Sequence, residues 1–360
     1  MKETISTRQT AIISALLIFA NKLLVLPSLL YERSKADGFF AILILLALEM
    51  LLLFMFLKVK NAYPNLSFYE LIKQKLGVVF AKFFFVLLSV YFFFKALLLF
   101  NVTFMYLHIQ VYLDATYYLF MFAFLFVMTT SALRGLRPLA RGAEFVFSFI
   151  VASLLFCLFL SFLNFKSFPI FFEQKFDNVL NSSWHTACCC GDVLVLFVIM
   201  DKIELQKGLN KKVLLYSGLS CLIVLLVFFM FYSIFGVTSF IHNNALSDII
   251  TFSYRFLDLG RLDLVAIIAN MFLSFMQLSI YAYMLMVCFK QVFTKITDVY
   301  IATFYNLLFT IIMISAAINY VSVIFLAQNV FSLAAPFIHF IVPAILFVCA
   351  LKAAKRKEGT

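Results

Sequence analysis

A chain of 360 residues with 65% hydrophobic and 12% charged residues, and a mean hydropathy of +1.07, carries more apolar surface than one water-soluble core can hide. Soluble domains hold roughly 25% charged residues, so the composition excludes a water-soluble globular protein and makes lipid the solvent. A net charge of +11 could neutralise nucleic-acid phosphates, but the positive residues sit in short clusters between apolar runs, which is the pattern of membrane-protein loops.

A helical span needs about 20 apolar residues at ~1.5 Å each. Candidates fall in chain order at 11–30, 39–57, 83–107, 117–133, 143–163, 186–200, 213–236, 262–289, 299–317 and 331–351. The first contains Pro27, expected to kink it, just after the polar pair Asn21 and Lys22. No small-residue cleavage site follows this run, so no cleavable signal peptide is expected. The second span carries Glu49, and the third Lys95, Asn101 and Thr103. The sixth is short and opens with Trp184-His185-Thr186-Ala187-Cys188-Cys189-Cys190-Gly191-Asp192, where Gly191 and small neighbours predict an interruption. Unwound backbone at membrane depth survives only where protein or water satisfies it. In the eighth span, Asn270, Ser274, Gln277 and Tyr281 share one helix face through spacings of four, three and four. That stripe suits a cavity wall and inter-helix hydrogen bonding equally well. The stretch 318–330 reads either as a loop or as a membrane-embedded segment.

Orientation follows from loop charge. With the N-terminus inside, inner segments hold twenty Lys and Arg, among them Lys58, Lys60, Arg134, Arg137 and Lys202, against six outside, such as Arg33, Lys35 and Lys175. This asymmetry places both termini in the cytoplasm. Ten spans divide into two fives, 11–163 and 186–351. Because five is odd, a repeated second half must enter from the opposite side. That is the inverted-repeat architecture, with a midplane site at the broken first helix of each half.

Ionisable residues within spans cost about 2.5–3.5 kcal/mol each on insertion scales. Lys22, Glu49, Lys95 and Asp192 therefore form either a polar centre that contacts charged ligand ends or relays protons, or a structural pair such as Glu49 with Lys22 or Lys95. Lys95 could also snorkel. Seven cysteines lie nearly all in apolar runs and read as reduced, packed thiols. Three adjacent cysteines do not wrap a tetrahedral ion, and His108, His185, His242 and His339 lack metal-binding spacing, so no metal is expected. With no P-loop and no nucleophile elbow, neither a cofactor nor enzymatic activity is expected.

Four stretches carry a family resemblance: ISTRQTAIISALL with LPSLLYERSKADGF, LRGLRPLARGAEFVF, and LGRLDLVAIIANMFLSFMQLSIYAYMLMVCFKQVF. The chain resembles the endospore germination permease family, the B-type subunit of nutrient germinant receptors, within the amino acid–polyamine–organocation superfamily. It departs from the family at the sixth helix, where an aromatic-Pro-aromatic-Gly-Glu break reads Cys188 to Asp192, and after the first helix, where Asp-Ala-Trp reads Asp37-Gly38-Phe39. The resemblance implies an all-α membrane fold of about ten helices with discontinuous helices 1 and 6. It also implies a nutrient sensor in the spore inner membrane, working beside an A-type membrane subunit and a C-type lipoprotein. A small nutrient, often an amino acid, would be bound by Asn21, Lys22, Leu24 and Pro27, by Cys189, Cys190, Gly191 and Asp192, and by Phe94, Asn101, Ser274 and Gln277. Backbone groups freed at the two breaks would grip the ligand's ends, a half-helix N-terminus favouring its anion. A proton- or cation-coupled amino acid permease and a purely structural subunit of a receptor channel complex stay open as other readings.

Overall fold

Backbone polar groups placed in lipid must pair within their own segment, so uncharged apolar runs fold as helices. The computed structural model describes residues 4–19, 22–110, 117–163, 165, 167–242, 245–254, 263–316 and 331–358. Among them the regular elements are helical, and the only β-type pairing is an isolated parallel bridge between Ile5 and Ile203.

The α-helices are α1 (Thr7–Phe19), α2 (Leu26–Ser34), α3 (Gly38–Ala62), α4 (Phe68–Leu76), α5 (Val78–Gln110), α6 (Tyr117–Leu133) and α7 (Leu136–Phe162). They continue as α8 (Phe176–His185), α9 (Leu194–Val198), α10 (Leu209–Phe235), α11 (Ala245–Tyr254), α12 (Asp263–Val292), α13 (Asp298–Ala316) and α14 (Ser332–Glu358). Among the described residues, six stretches are long and apolar enough to cross a membrane: Leu26–Ala62, Val78–His108, Leu136–Phe162, Leu209–Ile241, Leu264–Val292 and Ser332–Ala353. Thr7–Phe19, Tyr118–Leu133 and Asp298–Ile314 are apolar but shorter. This is the build of a multi-pass membrane protein. The α5–α12 pair lies at its centre, with α1 against α10 and α3 against α14.

Several sequence expectations need correction. Pro27 does not kink a continuous helix. It occupies the first turn of α2, where its missing N–H would lack an intrahelical partner in any case. A further helix, α8, lies directly ahead of residue 186; an apolar scan passes over it because Asp177, Asn178, Asn181 and His185 interrupt the run. Lys60 is no solvated loop charge: it is 1% exposed, and its ammonium donates to the carbonyls of Pro64 and Met200, both at 2.7 Å. The stretch 318–330, Arg255 and Arg261 lie outside the described residues. The loop read between spans 2 and 3 contains α4, opened by a capping box in which Ser67 and Glu70 satisfy each other's backbone N–H.

At the end bearing α2, buried Asp37 accepts the backbone N–H groups of Phe172 at 2.6 Å and Gln174 at 2.7 Å. Hydrogen bonds to a charged group contribute about 1.5–3 kcal/mol each. We therefore expect Asp37→Ala to release this loop, raising tryptic cleavage after Lys175 several-fold at unchanged overall fold. Unaltered cleavage would remove Asp37 as the anchor.

A buried polar centre at two interrupted helices

The site is built where two helices stop. The first is described as α1 up to Phe19 and as α2 from Leu26, with a turn through Leu23–Val25 and Lys22 beside it, fully buried. Backbone groups near this break find partners elsewhere: the Leu24 carbonyl accepts Ala245 N–H at 3.3 Å, and the Pro27 carbonyl accepts the Tyr232 hydroxyl at 3.0 Å. The second interruption follows α8. A 3₁₀ turn spans Ala187–Cys189, Cys190 is extended, and Gly191 takes φ +81° before the chain regains helix at Leu194. Only glycine adopts that φ without a steric penalty. A Cβ there would also lie 2.1 Å from the His339 ring of α14.

Four buried charges meet between these breaks. Lys22 Nζ lies 3.1 Å from Glu49 Oε1 and 3.9 Å from Asp192 Oδ2. Lys95 Nζ donates to Asp192 Oδ1 and to the Cys190 carbonyl, each at 2.8 Å. Lys95 thus points into the protein rather than snorkelling, its side chain fully buried. Both pairings draw on acids carried by other segments, α3 for Glu49 and the second break for Asp192. Gly191 N–H donates to Glu49 Oε1 at 2.9 Å, so a backbone group exposed by the break is held by a side chain of α3. The Tyr281 hydroxyl donates to Asp192 Oδ1, and Gln277 Nε2 donates to the Tyr281 hydroxyl. The Tyr91 hydroxyl lies 2.6 Å from His339 Nε2 and 3.4 Å from the Cys190 carbonyl.

Two ammonium groups and two carboxylates balance, which is the condition for keeping charge out of water. The hydrogen bonding is nevertheless incomplete. Lys22 Nζ, Glu49 Oε2, Asp192 Oδ2 and Gln277 Oε1 are buried without a hydrogen-bond partner. Native proteins leave few such atoms, and their convergence on one centre is what a polar ligand or water would satisfy. Of the four residues, Glu49 lines a cavity of about 220 Å³, together with Cys190, Gly191, His339, Leu48 and Trp184 among others.

Lys22, Cys190, Gly191, Asp192 and Gln277 therefore come together. Leu24 is buried within the first break, and Cys189 is half-buried in the turn before Cys190. Phe94 is 44% exposed, with its ring 5.5 Å from that of Phe331. Asn101 donates to Leu97 O at 3.1 Å and approaches Met313 Sδ at 3.6 Å, while Ser274 accepts the Thr103 hydroxyl at 3.0 Å. The Asn101–Met313 and Thr103–Ser274 contacts join neighbouring helices. Asn21 lies outside the described residues. Tyr91 and His339 join the centre without any sequence signal, since a Tyr among Phe and a lone His on an apolar helix read as ordinary core. Among the described residues, no three His, Cys, Asp or Glu side chains are placed to hold a metal ion.

The sequence model of a family described as "Spore germination protein" matches residues 4–321, nearly the whole chain. The chain belongs to the spore germination protein family. The match bears out the resemblance drawn from its motifs and gives the chain a role in spore germination. Both interruptions and all four buried charges lie inside the matched region, whereas His339 lies beyond it. No curated protein matches the chain.

Proposed function

We propose that this chain is a non-enzymatic nutrient-sensing subunit that binds a small zwitterion, an amino acid, at the polar centre and thereby signals germination. The observation that carries this reading is the meeting of two interrupted helices with Lys22 and Asp192, each with a buried polar atom lacking a hydrogen-bond partner, joined to a cavity through Glu49, which pairs with Lys22 and lines that cavity. Lys22 suits a carboxylate and Asp192 an ammonium. Charge recognition rests on these side chains, because α9 has only five residues and sums little dipole. Binding that favours one conformation shifts a two-state equilibrium without a transport cycle.

We read the fold as ten crossings in two inverted repeats: α1–α2, α3, α5, α6 and α7, then α8–α9, α10, α12, α13 and α14. Part of the packing supports this, although the contacts of α12 with α6 and α7 have no comparable counterparts, among the described residues, between α5 and α13 or α14. Exchanging the halves maps the α1–α10 contact onto the α8–α9 contact with α3, maps α3–α14 onto α10–α7, and returns α5–α12 to itself. The loop-charge asymmetry supports cytoplasmic termini, and the family supports a spore membrane beside A-type and C-type receptor subunits.

The test is equilibrium binding of each labelled proteinogenic amino acid to the full chain in lipid nanodiscs. Saturable binding of at least one is expected, weakened tenfold or more by Gln277→Leu, which removes an unpartnered acceptor and leaves the charges intact. No binding by any of them would end the reading. Concentrative uptake in proteoliposomes would replace it with a permease.

A further inference from the structure

The three cysteines before Gly191 play no part in the charge network through their thiols. Cys188 and Cys189 sit in the 3₁₀ turn with their sulfurs 3.9 Å apart. Cys188 is buried at 2% exposure, while Cys189 is half-buried. Cys190 leaves the turn in an extended conformation at φ −114°, ψ −175°. The turn is held by Cys189 N–H to Thr186 O at 2.9 Å and Cys190 N–H to Ala187 O at 3.1 Å. The Cys190 carbonyl that follows is the acceptor for Lys95 and faces the Tyr91 hydroxyl. An oxidisable pair is thus wired, one residue on, to the centre of the molecule.

We propose that Cys188 and Cys189 are a modification site for peroxide, closing to a disulfide between adjacent residues that rearranges the turn carrying the Cys190 carbonyl. The partly exposed Cys189 reacts first: its sulfur attacks hydrogen peroxide, the O–O bond breaks, and a sulfenic acid and one water form. The Cys188 sulfur then displaces hydroxide from that sulfenic acid, the S–S bond forms, and a second water leaves. Two thiols and one peroxide become one disulfide and two waters, as a partly exposed thiol beside a resolving thiol does. Adjacent Cα atoms are ~3.8 Å apart across a trans peptide, closer than the ~4.4–6.8 Å usual for a disulfide. The bond therefore cannot form on the turn as it stands, the peptide linking the two residues must move, and the product is readily reduced. That combination suits a reversible switch. The inference does not depend on what the site binds.

The chain's one tryptophan, Trp184, lies four residues before Cys188 in the last turn of α8. The test uses the full chain in nanodiscs, treated with hydrogen peroxide, alkylated, digested and mapped by mass spectrometry. The expected product is the Cys188–Cys190 peptide lighter by two hydrogens, alkylated only at Cys190, and restored by dithiothreitol, together with a reversible shift in Trp184 emission. In Cys189→Ala the mass change and the emission shift should both be lost. Three alkylatable thiols after a dose that oxidises free cysteine, or a disulfide joining other positions, would overturn the proposal. A disulfide formed with unchanged Trp184 emission would overturn its conformational part. Should Cys189→Ala fail to fold, mapping of the unsubstituted chain decides alone.

Discussion

Gly191→Ala is expected to weaken nutrient binding by tenfold or more. Two independent penalties act at this position. Gly191 has φ +81°, and a residue with a Cβ pays about 1–2 kcal/mol for the left-handed region. The added carbon would also stand 2.1–2.3 Å from three atoms of the His339 ring, so the ring must move, and with it the 2.6 Å contact to Tyr91. The two penalties separate experimentally. Combining Gly191→Ala with His339→Ala removes the overlap but leaves the backbone strain, so the double variant should recover part of the lost binding and not all of it. Amino acid binding and thermal midpoint in nanodiscs measure both. A Gly191→Ala protein that binds normally would mean that the second interruption does not shape the site.

The second large effect is expected in the charge network. Asp192→Leu leaves Lys22 and Lys95 facing one remaining carboxylate, and Lys95→Met leaves an excess of negative charge. Removing one partner of a buried pair costs about 3–5 kcal/mol, whereas replacing both with apolar groups is often close to neutral. The double variant should therefore be more stable than the sum of the singles by about 2 kcal/mol or more in a denaturation cycle. Strict additivity would show that the 2.8 Å contact of Lys95 with Asp192 contributes no coupling. Binding gives the complementary reading: a double variant that is stable yet unable to bind amino acid separates the recognition role of Asp192 from its structural one.

Much of the site was legible because its residues violate the solvent they sit in. A lysine, a glutamate or an aspartate in an apolar run is costly to insert, so Lys22, Glu49, Lys95 and Asp192 stood out one by one. Glu49 with Lys22 was one of two pairings open from the sequence and is the one formed; the choice between them, and the pairing of Lys95 with Asp192, was not legible, because it depends on side chains from α3, α5 and the two breaks meeting in space. The polar stripe of α12 could be assigned to one face, but its members part company in three dimensions: Gln277 and Tyr281 reach Asp192, whereas Ser274 meets Thr103. Phe94 shares a helix with Lys95 yet is 44% exposed, since neighbouring residues on a helix point about 100° apart.

The sequence by itself determined the solvent, the helical class, the rough position of the six long apolar helical stretches and the second interruption, because hydropathy and glycine conformational freedom are properties of short segments. Tertiary structure alone decided that α8 leads into the second interruption, that Lys60 ties α3 to the Met200 carbonyl, and that Tyr91 and His339 stand against the break. These outcomes depend on neighbours far along the chain, whose approach no local pattern encodes.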